Sequence, residues 1–300
     1  MTDLLRMIPS VLMIVSPILV AAVGGMICER AGVVNIALEG LMAIGAFTAA
    51  TVHFFLEGST PLSIWIAILS GGAASMAVSL VHAYASISLN ANQVISGTGI
   101  NLLATGGTTF LAQVIFRMER TEPFKLGMMP GPGGIYPTAW IALSAVLVSW
   151  YILYRRPFGL RLRSCGEHPQ AAASAGIDVR RMRYIAVMAS GFFGGVAGGC
   201  LVLTQTIQYT VNTINGAGFI ALAAVSFGRW LPKGIAGASL LFGTAVALSI
   251  YMVNIQSLRF LPSEFFSVMP YIITLVTLVA FSGKEYAPRA SGQPYERSGS

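Results

Sequence analysis

Few side chains in this 300-residue sequence could do chemistry, and none stands in a pattern that makes a reaction. The three histidines are scattered: His53 and His82 fall near opposite ends of apolar runs and His168 lies in a basic loop, with no His-Glu-x-x-His and no serine partner. Cys28, Cys165 and Cys200 have neither Cys-x-x-Cys nor Cys/His spacing, so no zinc site or disulfide is expected. No Gly-x-x-x-x-Gly-Lys-[Ser/Thr] phosphate loop occurs. An intramembrane enzyme therefore has little support, and no catalytic residue or metal ligand is predicted. What remains is a set of polar residues in apolar surroundings. Glu39 is the sole acidic residue well inside an apolar run, and Asn35 lies one turn earlier on the same face if the run is helical. A charged group in hydrocarbon costs about 2.5–3.5 kcal/mol on insertion scales, so Glu39 is expected to face protein or water. It either meets a solute or ties two helices together. Asn92, Gln93 and Asn101 share another run with Ser96, Thr98 and Thr105, and Gln93, Gly97, Ile100 and Asn101 fall along one helical side. Their amides could read a sugar hydroxyl or a base edge, or bond between helices. Gln205, Gln208, Asn212, Thr213 and Asn215 gather at the end of a later run, as a plain polar loop or a place where solute arrives.

The elements that must position these residues follow from composition. Apolar residues make up 55% and charged residues only 10%, against roughly a quarter charged in soluble domains. Apolar runs of about 17 to 25 residues recur along the chain, the length a helix needs to cross roughly 30 Å of hydrocarbon. About nine candidates are read: 8–27, 33–55, 62–84, 91–116, 138–154, 184–206, 217–228, 234–256 and 265–282. The seventh, Ala217 to Gly228, is too short to cross alone and is read as a half-helix or re-entrant piece. The fold class expected is an all-α polytopic transmembrane bundle. The first run is followed by Cys28-Glu29-Arg30, with no small-residue cleavage site, and is read as a retained span.

The net charge of +7 could suggest nucleic acid, but the basic residues gather in one loop and beside helix ends. Arg155, Arg156, Arg161, Arg163, Arg180, Arg181 and Arg183 crowd into residues 155–183, which the positive-inside rule places in the cytoplasm. Alternation then gives an N-out, C-in bundle, provided the short seventh run reaches the inner face and leaves Arg229 and Lys233 there. Residues 1–283 form one membrane domain on this reading, and the polar segment 284–300 is expected to be a poorly ordered cytoplasmic tail. Gly191, Gly194, Gly195, Gly198 and Gly199 within one run predict close backbone packing.

The same basic loop contains a short helix with marked ends. Pro169 suits its first turn, Gln170 to Ala175 has high helix propensity, and Gly176 suits its C-terminal cap. By residue type alone it could be a tether between two spans. Its spelling is more specific: Gly166-Glu167-x-Pro169-x-Ala171-Ala172, then Gly176-Ile177, then Arg181-x-Arg183 before the glycine-rich span. This resembles the coupling loop of permease subunits of binding-protein-dependent ABC importers. Glu29-Arg30-Ala31-Gly32-Val33-Val34-Asn35-Ile36-Ala37-Leu38-Glu39-Gly40, Asn92-Gln93-Val94-Ile95-Ser96-Gly97-Thr98-Gly99-Ile100-Asn101 and Gly216-Ala217-Gly218-Phe219-Ile220-Ala221-Leu222-Ala223 resemble the nucleoside-type branch of the ribose and simple-sugar permeases. The resemblance extends over about residues 10 to 245.

The resemblance implies that Gly166, Glu167, His168, Pro169, Ala171, Ala172, Gly176 and Ile177 dock on a cytoplasmic ATPase, with His168 standing where the family often has Asn. The polar residues in apolar runs, together with these motifs, give Asn35, Glu39, Asn92, Gln93, Gly97, Asn101, Gly218 and Phe219 as candidates for the translocation path. The resemblance implies no cofactor on this chain, ATP and magnesium on partner ATPase subunits, a second and homologous but distinct permease, an extracytoplasmic solute-binding protein or lipoprotein, surrounding lipid, no nucleic acid, and a bacterial cytoplasmic membrane. The expected cargo is a purine nucleoside, ahead of riboflavin and then ribose-like sugars. An ion-coupled secondary transporter would need acidic residues near the midplane, where only Glu39 is on offer.

Overall fold

The computed structural model describes residues 2–253 and 286–295, with 268, 272, 273, 275, 276 and 279 between them. Among the described residues, seven helices are long and apolar enough to cross a membrane. They are α1 (Thr2–Arg30), α2 (Leu38–Leu56), α3 (Ser63–Ala83, continued by a wider turn over Tyr84–Ser88), α4 (Gln93–Phe116), α5 (Pro137–Arg155), α8 (Val179–Gln205) and α10 (Pro232–Val253). Two short helices, α6 (Pro157–Glu167) and α7 (Pro169–Ser174), form the basic loop, and α9 (Ala217–Phe227) is the short seventh run. Among the described residues the chain has no strand beyond one isolated bridge, Arg120 to Thr210. Eight of the nine apolar runs thus correspond to helices. The ninth, 265–282, lies outside the described residues.

Burial separates the helices into a centre and a rim. α1 and α8 each bury 72% of their most apolar stretch, whereas α4 buries 28%, so α1 and α8 are core and α4 faces outward. The centre closes on glycine. Gly45 of α2, Gly71 of α3 and Gly195 of α8 meet backbone to backbone: a Cβ on Gly71 would stand 2.6 Å from Gly45 O, and a Cβ on Gly45 or Gly195 would overlap its neighbour's backbone. Small residues here let three helices approach more closely than any side chain permits.

One expectation is corrected here. The run read as a span from residue 33 is not helical before Leu38. α1 ends in a left-handed turn at Gly32 (φ 90°), where Gly32 N–H donates to Glu29 O and Val33 N–H to Cys28 O, and residues 33–37 continue as irregular backbone. In the polar segment after residue 283, residues 286–295 are held against the bundle. Ala290 N–H donates to Gly166 O, Gly292 N–H to Gly32 O, and the Arg183 Nη1 donates to Gln293 O. Backbone carbonyls at the ends of α1 and α6, with the Arg183 guanidinium of α8, supply this anchorage.

Candidate functional site

Irregular backbone at membrane depth survives only where protein satisfies its polar groups. Residues 33–37 receive that service from α3, α4 and α8. Val34 N–H donates to Gln93 Oε1 (2.7 Å), and Asn101 Nδ2 donates to Ile36 O (3.0 Å) while its Oδ1 accepts from Gly40 N–H (2.8 Å). His82 Nε2 lies 3.1 Å from Val34 O. A carbonyl only accepts, so Nε2 carries the proton, and Nδ1 accepts from Ser96 Oγ at 2.9 Å. Asn35 is wholly buried and donates Nδ2 to Ser190 Oγ of α8. Gly97 makes the approach possible, because a Cβ there would stand 2.9 Å from Ala37 N.

Immediately after this stretch, Glu39 opens α2 and grips the start of α9. Its carboxylate oxygens accept from Gly216 N–H (2.8 Å) and Gly218 N–H (2.7 Å). Gly216 is left-handed at φ 84°, and a Cβ on Gly218 would stand 2.5 Å from Glu39 Cα, so glycine at both positions lets the helix start against the carboxylate. At about 1.5 Å per residue, eleven residues of α9 span roughly 16 Å, about half the hydrocarbon thickness. Its N-terminus therefore begins inside the bundle, where its free N–H groups and positive dipole end need an acceptor. Glu39 is that acceptor.

The other end of α9 is held as well. Arg229 and Trp230 turn the chain in left-handed conformations, φ 53° and 54°. Trp230 Nε1–H donates to the buried Glu29 carboxylate, and Arg30 Nε donates to Trp230 O (3.0 Å). Arg30 Nη1 also lies 3.6 Å from Glu167 Oε1, directly before α7. One pair of residues at the end of α1 thus contacts both the α9–α10 turn and the loop. Arg229 and Lys233 consequently lie at the end of the bundle that carries residues 155–183, as the short run required.

α7 has the ends read from sequence. Pro169 fills its first position, and Gly176, at φ 79°, closes it with Gly176 N–H to Ala173 O and Ile177 N–H to Ala172 O. His168 caps the N-terminus, its Nδ1 accepting from Ala171 N–H at 3.2 Å. An imidazole nitrogen here supplies the acceptor that an Asn side chain would supply. Beneath α7, Cys165 is buried, and that burial pushes its thiol above the usual range while the nearby Arg183 guanidinium opposes the shift.

The candidate path residues sort unevenly. Gln93, Gly97 and Asn101 share one side of α4 as read, with Asn35, Glu39 and Gly218 in the same joint. Asn35 and Glu39 are not on one helical face, because the backbone between them is not helical. Asn92 leaves the group: it is exposed and caps α4, accepting from Val94 and Ile95 N–H. Phe219, 49% exposed, points off the bundle on the same side of α9 as exposed Ser226. Gln205, Gln208, Asn212 and Thr213 line a cavity of about 670 Å³ at the opposite end from α7, together with residues 125–130. That second wall is pinned by Glu57, which accepts from Lys125 and Leu126 N–H, and by His53 against Leu126 O. Residue-type reasoning missed His82, Ser190, Glu29 and Trp230; the only available signal was a polar or aromatic group at the end of an apolar run.

Comparison with known proteins agrees in kind. The model of the family described as branched-chain amino acid transport system / permease component matches residues 7–278. The guanosine ABC transporter permease protein NupQ of Bacillus subtilis (strain 168) is 43% identical, over 96% of this chain and 95% of its own. The nucleoside ABC transporter permease protein NupC of Lactococcus lactis subsp. cremoris (strain MG1363) is 36% identical over 94% of each. Among solved structures, an ABC transporter assigned to the metal-chelate type in an inward-facing conformation superposes with a TM-score of 0.56 at 14% identity, covering 91% of this chain and 86% of that one, which is a likeness of fold.

Proposed function

The chain belongs to the branched-chain amino acid transport system permease family, and from that premise we propose that it is the multi-pass permease subunit of an ABC importer for purine nucleosides. The observation that carries the cargo is 43% identity, over almost the whole of both chains, to a permease described as a guanosine transporter. The bundle sits N-out and C-in, with a ninth span at 265–282, in a bacterial cytoplasmic membrane. It forms half of a pore with a second, homologous permease. Solute arrives from an extracytoplasmic binding protein at the end carrying Gln205, Gln208, Asn212 and Thr213. ATP and magnesium belong to separate ATPase subunits that dock on residues 166–177.

In this reading α9 is the moving part. Its N-terminus hangs on Glu39, and its C-terminal turn on Glu29 and Arg30. Arg30 also meets Glu167 beside α7. ATPase closure that displaces α7 would reach α9 through Glu167 and Arg30, and would tilt the half-helix against the joint of Asn35, Gln93, Gly97 and Asn101. A ligand shifts such an equilibrium only through contacts that differ between the two states. The Arg30–Glu167 pair is the contact best placed to differ, because Glu167 is half exposed. Phe219 and its side of α9 then face the pathway.

The test is reconstitution of this chain with its ATPase and partner permease in liposomes, with uptake of labelled guanosine, riboflavin and ribose measured side by side. ATP-driven guanosine uptake is expected to exceed the other two. Preferential riboflavin or ribose uptake would overturn the cargo, and uptake driven by an ion gradient without ATPase would overturn the class.

A further inference from the structure

The segment 286–295 lies against the loop of α6 and α7. Its backbone is fixed at three points already described, on Gly166, Gly32 and Arg183. These anchors come from the ends of α6, α1 and α8, and α6 and α8 both pack against α7. The anchoring is tight: a Cβ on Gly32 would stand 3.2 Å from Ala290 O and 2.8 Å from the Arg183 Nη2. Ala290 and Tyr295 are buried beneath the segment, whereas Arg289, Gln293 and Pro294 face outward. The outward residues and the start of α7 are two walls of one groove of about 520 Å³, which includes Glu167, His168, Gln170, Arg289 and Gln293. A second groove of about 560 Å³ lies on the far side of Glu167, between it and Tyr286–Arg289.

We propose that the surface receiving the ATPase is composite, made of α7 together with the C-terminal segment 286–295, and that the groove between them takes a polar, acceptor-bearing projection of the ATPase. The occupant's chemistry follows from the walls. Arg289 and the amides of Gln170 and Gln293 offer donors, and the single carboxylate in the groove, Glu167, already faces Arg30. Carboxylates and carbonyls on the partner complement such walls. The inference rests on the proposed ATPase docking at residues 166–177 and extends it to a part of the chain that the coupling motif does not contain.

The test is site-specific photo-crosslinking in the full complex in membranes. A benzophenone amino acid is placed singly at Gln170 on α7, at Gln293 on the segment, and at Lys125 at the opposite end of the bundle. All three positions are exposed, and Gln293 contributes only its carbonyl to the anchorage, so each variant keeps the packing intact. Adducts are identified by mass spectrometry. Crosslinks from both Gln170 and Gln293 to a protein carrying a Gly-x-x-x-x-Gly-Lys-[Ser/Thr] loop, with none from Lys125, are expected. A crosslink from Gln170 without one from Gln293 overturns the composite surface and leaves the docking of α7 standing. Failure at both positions overturns the docking site itself.

Discussion

Replacing Glu39 by glutamine tests the grip on the half-helix most sharply, because it removes charge and one acceptor with almost no change in volume. In the native structure two carboxylate oxygens accept from Gly216 and Gly218 N–H at 2.8 and 2.7 Å. A glutamine keeps one oxygen and turns an NH2 toward the other donor, so at least one charge-assisted hydrogen bond is lost. Such bonds contribute about 1.5–3 kcal/mol each. Every 1.4 kcal/mol is tenfold, so local opening at the start of α9 should become about 10- to 140-fold more frequent. The assay is amide hydrogen exchange in detergent or nanodiscs, read on peptides covering 216–220, with a peptide from the centre of α8 as internal reference. Protection is expected to fall at 216–220 and to hold in α8. Glu39→Ala, which removes both acceptors, should fall further. Unchanged protection at 216–220 in both variants would refute the claim that Glu39 holds α9, and a uniform loss across α8 would show that Glu39 serves global stability instead.

The glycines predict opposite signs for one chemical change. Gly195→Ala drives a methyl into the backbone of α3 and should destabilise by about 1–3 kcal/mol, lowering the thermal midpoint in detergent. Gly99→Ala, on an open face of α4 with nothing within 4 Å, should be neutral or stabilising by up to about 1 kcal/mol; equal effects would contradict the packing described. Cys165 should resist maleimide at neutral pH, because burial covers its thiol and shifts its titration upward, and labelling should rise only as the pH is raised. Peptide mapping that found it labelled as fast as free cysteine would contradict its place beneath α7.

What the sequence disclosed depended on how local each cause was. The long spans were legible because a run of about 20 apolar residues has one stable way to exist in lipid. α7 was legible because Pro169 and Gly176 act on their own backbone. The break at 33–37 was not: Val33-Val34-Asn35-Ile36-Ala37-Leu38 reads as an unbroken apolar run, and the cause of the break, Gly32 turning left-handed, becomes clear only when Gln93, His82 and Asn101 are seen serving the irregular backbone. Glu39 was legible as a residue in need of a partner, but that partner lies 177 residues away, as two backbone amides with no side-chain signature. Asn92, next to Gln93 in sequence, caps α4 and makes no bond to residues 33–37, a difference that adjacency in sequence does not reveal. Nothing in the composition of 286–295 points to its anchors, which are the carbonyls of Gly32 and Gly166 and the Arg183 guanidinium, all more than a hundred residues away.

The account's central claim is that this permease takes its energy through residues 166–177. It is tested most directly by measuring ATP hydrolysis and guanosine uptake together in proteoliposomes carrying Glu167→Ala or Gly166→Leu. The first removes the partner of Arg30, and the second forces a side chain into the Arg30 carbonyl and the anchor of residue 290. Hydrolysis is expected to persist while uptake per ATP falls roughly tenfold, the consequence of losing about 1.4 kcal/mol of coupling. Normal uptake per ATP in both variants would contradict it.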